Sequence, residues 1–330
     1  MAAIASRVRI VTTGGTICMK VDPRTGGAVP ALSGEDLIAT VPGLARAARV
    51  EVEDFMRLPG TDMGPSTWAP LVHRLRAIFD QDHDLSGIVV THGTGLLDEA
   101  AYFADLGLRE SRPVVFTGAA RNASIWDTDG PRNILGATHV AASSQARDMG
   151  VLVCLNDQIH AARDAVKRHA NSVEAYMSGD HGLLGNVYYD TVRIYRKPTR
   201  HPHFSVDSID PRVEIVMMYS ESDGRLVEAC IDTKVSGIVI QGVNTGNVNT
   251  AMHNAILKAM AAGIVVVLTT NLPMGQVYPV YGFAGGGKAL MDAGAIMAED
   301  LKPRKARLLL MYALGQTRDP KRLQEIFHEA

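Results

Sequence analysis

The sequence predicts an α/β protein with a larger N-terminal domain, built on a mostly parallel sheet flanked by helices, and a smaller C-terminal α/β domain. Two observations support this prediction. Runs of β-branched residues alternate with segments of helical periodicity, which is typical of parallel sheets covered on both faces. This pattern weakens between about residues 191 and 212, which are rich in Pro, His and charge. We therefore predict domains at 1–190 and 213–330, joined by a linker at 191–212.

The N-terminal elements follow from local composition. The helix predicted from Pro65 to Phe79 has apolar residues at helical spacing, and Pro65 suits a first helical turn. Strands are indicated by Val- and Ile-rich runs that end in glycine. The predicted strands lie near 7–13, 49–57, 87–91, 113–117 and 151–155, and the predicted helices near 33–40, 65–79, 97–108 and 131–145.

The C-terminal elements alternate in the same way. In the helix predicted at 249–262, Met252, Ala255, Ile256, Ala259 and Met260 fall on one face. The other predicted helices lie near 224–232, 303–315 and 319–328, and the predicted strands near 213–219, 236–241 and 264–268.

Composition excludes several classes of function. The 330 residues carry a net charge of −2, whereas binding to nucleic acid through its phosphates needs a concentrated basic face. Cys18, Cys154 and Cys230 are odd in number and widely spaced, which indicates a reducing compartment rather than a disulfide framework. No apolar run approaches the roughly 20 residues of a membrane span. The first strand begins within about seven residues and leaves no room for a secretory signal. We expect a cytoplasmic protein with no nucleic-acid or membrane partner.

Two threonines are the strongest indication of chemistry. Thr16 in TTGGTI (12–17) and Thr94 in VVTHGTG (89–95) each follow a predicted strand that ends in a glycine-bearing turn. Ligands of open α/β sheets bind beyond the carboxyl ends of the strands, so both hydroxyls face that crevice. A threonine hydroxyl needs a neighbouring base and an oxyanion site to act as a nucleophile. Taken alone, either threonine is also compatible with an ordinary turn.

Six ordered segments carry a resemblance to a known family. They are TTGGTI, VVTHGTGLLDEAAYF, PVVFTGAAR, TDGPRN, NDQIHAARDAVKRH and EDLKPRKARLLLMYAL. Together they resemble the bacterial L-asparaginase (asparaginase/glutaminase) family of amidohydrolases over nearly the whole chain. The resemblance implies hydrolysis of a small amide through an acyl-enzyme, with release of ammonia and without a metal or organic cofactor. It also implies a homotetramer of close dimers, in which the small domain of a neighbouring subunit closes each active site.

The resemblance assigns roles residue by residue. Thr16 matches the nucleophile, Thr94 the second catalytic threonine, and Lys167 the general base that activates Thr94. Asn247 matches an asparagine supplied by the adjacent subunit. The positions expected to bind substrate are Gly60, Thr61, Asp62, Gly93, Gly95 and Asn247. Without the resemblance, Lys167 reads as a surface lysine, and Asp62 and Asn247 as turn residues.

Three positions depart from the family pattern. The family has HGTD where this chain has HGTG, so Gly95 replaces an aspartate that holds the substrate's α-ammonium and completes a Thr-Lys-Asp triad. Gly60 replaces a serine that holds the α-carboxylate, and Gly27 lies nearest a missing lid tyrosine. We expect a pocket widened by these three glycines, and a substrate other than L-asparagine. The alternative is a catalytically impaired homologue that binds a small molecule.

Two further alternatives have weaker support. TTGGTI as a phosphate-binding loop would need GxGxxG at the start of a helix, which GGTICMK does not supply. The amidase subunit of a tRNA transamidation complex resembles the same family, but would need an added N-terminal domain.

Overall fold

The computed structural model describes residues 6–198 and 202–330. Contacts divide the chain into two compact units, Met1–Thr199 and Arg200–Ala330. Each unit has its own sheet. No helix within the described residues is long and apolar enough to cross a membrane.

The first unit contains an eight-stranded sheet in the order β12-β11-β8-β7-β6-β5-β1-β4. Strands β4, β1, β5, β6 and β7 are parallel, and β8, β11 and β12 extend the sheet with antiparallel pairing. Two short antiparallel ribbons, β2-β3 and β9-β10, accompany it. The strands are β1 (Arg7–Gly14), β2 (Met19–Val21), β3 (Ala28–Pro30), β4 (Arg49–Leu58), β5 (Gly87–Thr91), β6 (Val114–Thr117), β7 (Val151–Leu155), β8 (Gln158–Ala161), β9 (Val166–Lys167), β10 (Tyr176–Met177), β11 (Gly185–Tyr188) and β12 (Thr191–Ile194).

Helices pack around this sheet through the apolar faces expected from their sequences. In α3, the buried residues are Trp68, Leu71, Val72, Leu75, Ile78 and Phe79. All residues of α4 are buried, which places this helix in the core beside β7. The helices are α1 (Gly34–Ala39), α2 (Leu44–Ala47), α3 (Pro65–Gln81), α4 (Leu97–Gly107) and α5 (Gly130–Ala142).

The second unit contains a four-stranded parallel sheet in the order β13-β14-β15-β16. Its strands are β13 (Val213–Met217), β14 (Gly237–Gly242), β15 (Val265–Thr270) and β16 (Ile296–Met297). Its helices are α6 (Arg225–Asp232), α7 (Thr250–Ala261), α8 (Gly287–Asp292), α9 (Pro303–Leu314) and α10 (Pro320–Glu329). Four residues of the predicted apolar face of α7 are buried, and the fifth, Met260, is half-buried; the buried four are Met252, Ala255, Ile256 and Ala259.

The structure moves the boundary of the N-terminal unit. Residues 191–194, predicted as linker, form β12, which pairs with β11 at the edge of the first sheet. An edge strand alternates buried and exposed residues, here Val192 and Arg193, so its charge obscured it in the sequence. Part of the predicted linker, residues 199–201, lies outside the described residues.

Three glycines bring the turns after β1, β4 and β5 into backbone contact. A Cβ on Gly15, whose φ is 85°, would lie 2.5 Å from both Cα and N of Gly93. A Cβ on Gly93 would in turn lie 2.7 Å from Cα of Gly60. Real Cβ atoms do not approach so closely, because the contact is far inside van der Waals distance. This glycine contact (Gly15, Gly60 and Gly93) therefore sets how close the three turns lie.

We predict that Gly15→Ala lowers the free energy of unfolding by about 2–5 kcal/mol, since it adds both a left-handed strain and a backbone collision. Urea unfolding followed by tryptophan fluorescence measures this, because Trp68 and Trp126 both lie in the first unit. Gly95→Ala is the matched control, since nothing lies within 4 Å of a Cβ there and φ is outside the left-handed region. We expect that control to shift stability by less than about 1 kcal/mol. Equal effects of the two changes would contradict the role of the glycine contact.

Candidate active site

The candidate site lies at the carboxyl ends of the central strands of the first unit. Strand β1 pairs with β5 on one side and β4 on the other, so the turns that follow these strands meet at one edge. Thr16 and Thr94 each come directly after a member of the glycine contact, Gly15 or Gly93. The fold therefore brings together the two turns that carry the predicted catalytic threonines.

Thr16 begins a short 3₁₀ helix, Thr16–Cys18, in which Ile17 and Cys18 are buried. The Thr16 side chain is half-buried, and within the described residues no group hydrogen-bonds its hydroxyl. Burial raises the pKa of the Cys18 thiol, which contacts the Gly15 carbonyl oxygen at 3.1 Å. Cys18 thus anchors this turn as a neutral core residue.

Thr94 is paired with the predicted base. The Lys167 Nζ donates a hydrogen bond of 2.8 Å to Oγ1 of Thr94, whose side chain is buried. Burial lowers the pKa of Lys167, against the opposing charges of Asp98 and Asp129. A lowered pKa increases the neutral fraction of the lysine, which is the form that can accept a proton.

Tyr176 is a site residue that the sequence analysis missed. Its hydroxyl donates a hydrogen bond of 2.6 Å to the carbonyl oxygen of Thr94. Its backbone lies opposite Lys167 in the β9-β10 ribbon. Both β9 and β10 are two-residue strands, too short to give a periodic signal in the sequence.

The three divergent glycines do not share one environment. Gly95 is exposed, and nothing lies within 4 Å of a Cβ placed on it; Gly27 is also open, with only the Thr25 Oγ1 at 3.7 Å. Gly60 differs, because its Cβ would lie 3.0 Å from Cα of Gly93. The expectation that all three glycines widen the pocket is therefore wrong for Gly60, which packs against a neighbouring turn.

The remaining predicted substrate-binding residues fall in both units. Gly60, Thr61 and Asp62 form a 3₁₀ helix after β4, and the Thr61 and Asp62 side chains are exposed. Asn247 lies in the second unit, where its side chain accepts a hydrogen bond from the Gly287 amide at 3.1 Å. Gly60, Thr61 and Asp62 thus lie beside the threonine turns through the contact of Gly60 with Gly93, whereas Asn247 lies in the second unit.

A loop that contains Asp129 borders this edge of the sheet. The Asp129 carboxylate accepts hydrogen bonds from the amides of Ala120 and Arg121, at 3.0 and 2.9 Å, and from the Asn133 side chain at 2.9 Å. The same loop holds the β2-β3 ribbon, because the Ala123 amide donates to the Met19 carbonyl at 2.9 Å. The TDGPRN motif therefore organises the loop that contacts the β2-β3 ribbon.

His92 precedes the threonine turn as a buried, neutral residue. Its Nε2 accepts a hydrogen bond from the Trp68 indole at 3.2 Å, and its Nδ1 donates to the Gly93 carbonyl at 2.9 Å. Burial lowers the pKa of His92 to about 4. These contacts fix His92 as a structural support of the Gly93 turn, with no proton to exchange near neutral pH.

Comparison with known proteins agrees with this geometry. Residues 7–200 match the family model described as "Asparaginase, N-terminal", and residues 212–327 match the "Glutaminase/Asparaginase C-terminal domain". The chain belongs to the asparaginase family. As a member of that family it is an amidohydrolase, and its two units correspond to the two family domains.

Individual asparaginase relatives match over almost their full length. The chain is 34% identical to a probable periplasmic L-asparaginase of Haemophilus influenzae, covering 99% of this chain and 94% of the relative. It is 32% identical to L-asparaginase 2 of Bacillus subtilis, covering 98% and 86%. A solved structure of a probable cytoplasmic L-asparaginase from Campylobacter jejuni superposes with a TM-score of 0.90 at 32% identity, covering 98% of this chain and all of that one.

We predict that this asparaginase-family protein loses stability as the pH falls from 7 to 5, in part through His92. The pKa of His92 is about 4 in the folded chain and about 6.5 when unfolded, so the unfolded state binds the extra proton in this range. The linkage predicts a loss of about 2 kcal/mol by pH 5. Urea unfolding at both pH values, with His92→Gln as the control, isolates this contribution. The same pH dependence in His92→Gln would contradict it.

Proposed function

We propose that this enzyme hydrolyses a small linear amide to a carboxylic acid and ammonia, with Thr16 as the nucleophile. The observation that carries the proposal is the 2.8 Å contact between the Lys167 Nζ and the Thr94 Oγ1, in the turn that meets the Thr16 turn at the glycine contact. A lysine of lowered pKa against a threonine hydroxyl is the base that acyl transfer requires.

Thr16, Thr94 and Lys167 have separate roles in the proposed reaction. The Thr16 Oγ1 bonds to the amide carbon, and its proton passes through the Thr94 hydroxyl to neutral Lys167. The proton then moves to the departing nitrogen, which leaves as ammonia and gives an ester on Thr16. A water molecule cleaves the ester by the same proton route, which restores Thr16 and releases the acid.

The proposed substrate carries no free α-ammonium beside Gly95. If a neighbouring subunit closes the site, as proposed below, an ammonium left without a carboxylate partner costs about 3–5 kcal/mol, or several powers of ten in affinity. Nothing lies within 4 Å of a Cβ placed on the exposed Gly95, which favours an amide with a larger or uncharged group at this position. We therefore propose an amide other than L-asparagine as the preferred substrate.

We also propose a cytoplasmic homotetramer in which Asn247 completes the site of a neighbouring subunit. The buried, free thiols of Cys18, Cys154 and Cys230 favour a reducing compartment. The structural relative from C. jejuni carries a cytoplasmic name, whereas the H. influenzae relative carries a periplasmic one. Cell fractionation and light scattering of the purified protein test the compartment and the assembly.

We predict that Lys167→Met and Thr16→Val each reduce ammonia release by about 10²–10⁴-fold or more, because they remove the base and the nucleophile. Ammonia is measured with a panel of L- and D-asparagine, glutamine, succinamate and cyclic imides. Lys321→Met, on the exposed face of α10, is the matched control and should retain activity. If Lys167→Met still binds the amide and wild type never releases ammonia, the protein is a binding protein rather than an enzyme.

We predict that Gly95→Asp gains activity on L-asparagine, since the carboxylate pairs with the α-ammonium and fits without collision. The same carboxylate favours the charged lysine and raises the pKa of Lys167. Wild-type activity should therefore rise with pH on a limb centred below the ordinary lysine value of 10.5, and in Gly95→Asp that limb should move to higher pH. Rate profiles against pH measure both.

Gly95→Asn is the control for this prediction, since it has the same shape without the charge. It should gain neither asparagine activity nor the shift in pH profile. Efficient asparagine hydrolysis by the wild type would disprove the proposed substrate preference but would leave the catalytic roles intact.

A further inference from the structure

We propose that Tyr176 is a positioning residue that holds Thr94 in register with Lys167. This inference rests on the proposed function, because its effect on rate presumes that the Lys167 and Thr94 pair moves a proton. It concerns the phenol hydroxyl, to which the sequence motifs assign no role.

The contacts of Tyr176 and Lys167 form a closed unit around one residue. The Tyr176 hydroxyl donates to the main-chain carbonyl of Thr94 at 2.6 Å, and Lys167 donates to the side-chain oxygen of Thr94 at 2.8 Å. Tyr176 and Lys167 also face each other as backbone partners across the β9-β10 ribbon. The β9-β10 ribbon therefore holds the main chain of Thr94 through Tyr176 on β10 and the hydroxyl of Thr94 through Lys167 on β9.

The backbone beside Thr94 needs such a restraint. Thr94 lies between Gly93 and Gly95, and glycines allow more backbone conformations than any other residue. Gly93 is confined by the glycine contact, whereas Gly95 is exposed and has open space around its Cβ position. The carbonyl that Tyr176 binds belongs to the peptide between Thr94 and Gly95. Tyr176 thus holds the peptide on the side of Thr94 away from the glycine contact.

The Tyr176 ring is itself held in place. Its side chain is 3% exposed, and its centroid lies 6.5 Å from that of His160 on β8. The His160 Nδ1 is 2.8 Å from the hydroxyl of Ser178, which is buried one residue beyond β10. The hydroxyl of Tyr176 therefore extends from a fixed ring in the core, which is what a positioning group requires.

The expected effect follows from the geometry of proton transfer. Such transfer needs donor and acceptor within hydrogen-bond distance, and a displacement of about 1 Å can cost about 10²-fold in rate. Removing only the phenol oxygen keeps the ring in the core. We expect Tyr176→Phe to lower kcat by about 10–100-fold. We expect KM to stay within about threefold of the wild-type value, since the buried Tyr176 contacts the main chain of Thr94 from the core.

The experiment compares Tyr176→Phe with wild type and with Tyr195→Phe. The Tyr195 hydroxyl also makes hydrogen bonds, to Tyr188 and Asn186, but on the exposed β11-β12 hairpin. Steady-state ammonia release gives kcat and KM, and thermal unfolding gives Tm for each variant. A fall in kcat for Tyr176→Phe alone, at unchanged KM and with the assay well below Tm, supports the proposal. An unchanged kcat with a lowered Tm overturns it, because Tyr176 is then only structural.

A second measurement tests the same unit without any substrate. Acetic anhydride modifies neutral amines, and mass spectrometry reports the rate of modification at Lys167. If Tyr176 keeps Thr94 against Lys167, its loss frees the amine, and Lys167 reacts several-fold faster in Tyr176→Phe than in wild type or Tyr195→Phe. Equal rates overturn the proposal. Absence of ammonia release from every amide in wild type would instead refute the proposed function, and the labelling rates would still decide the role of Tyr176.

Discussion

The active-site edge of this protein depends on the contact of three glycine backbones. Gly15, Gly60 and Gly93 follow three adjacent parallel strands; a Cβ on Gly15 or Gly93 would collide with the neighbouring turn, and a Cβ on Gly60 would be tightly packed. The two predicted catalytic threonines, Thr16 and Thr94, come directly after Gly15 and Gly93, so the contact between these glycines sets the spacing of the two threonines. The neutral histidine beneath Gly93 and the buried thiol after Thr16 then secure each turn from the core side.

The protonation of Lys167 is controlled mainly by burial, which lowers its pKa, rather than by an adjacent carboxylate. Lys167 loses solvation beside a buried threonine, while Asp98 and Asp129 oppose the shift through charge alone. Asp129 is itself engaged by main-chain amides and by Asn133, so its main task is the shape of the loop that carries the β2-β3 ribbon. Burial outweighs these two charges, so the pKa of Lys167 stays lowered, as the proposed base requires. Position 95 itself carries no carboxylate.

The sequence was sufficient to predict the regular parts of the fold and to bring Lys167 and Thr94 together. Long periodic segments such as α3 and buried strands such as β5 carry strong signals, and ordered motifs placed Lys167 opposite Thr94 across 73 positions of sequence. Tyr176 was missed because a two-residue ribbon has no periodicity, and β12 because its charges resemble a linker. The expectation that Gly60 widens the pocket was wrong because the backbone of Gly93, 33 positions further along the chain, occupies the space beside it. The sequence alone does not show which turns meet.

The openness of Gly95 has a consequence for how this enzyme can change. Gly93, two residues earlier in the same turn, has no room for a Cβ, whereas nothing lies within 4 Å of a Cβ placed on Gly95. Lys167 and Tyr176 both contact Thr94 from the β9-β10 ribbon. We therefore expect uncharged side chains at position 95 to change the amide preference while leaving the proposed base unaltered, whereas a carboxylate there would also raise the pKa of Lys167.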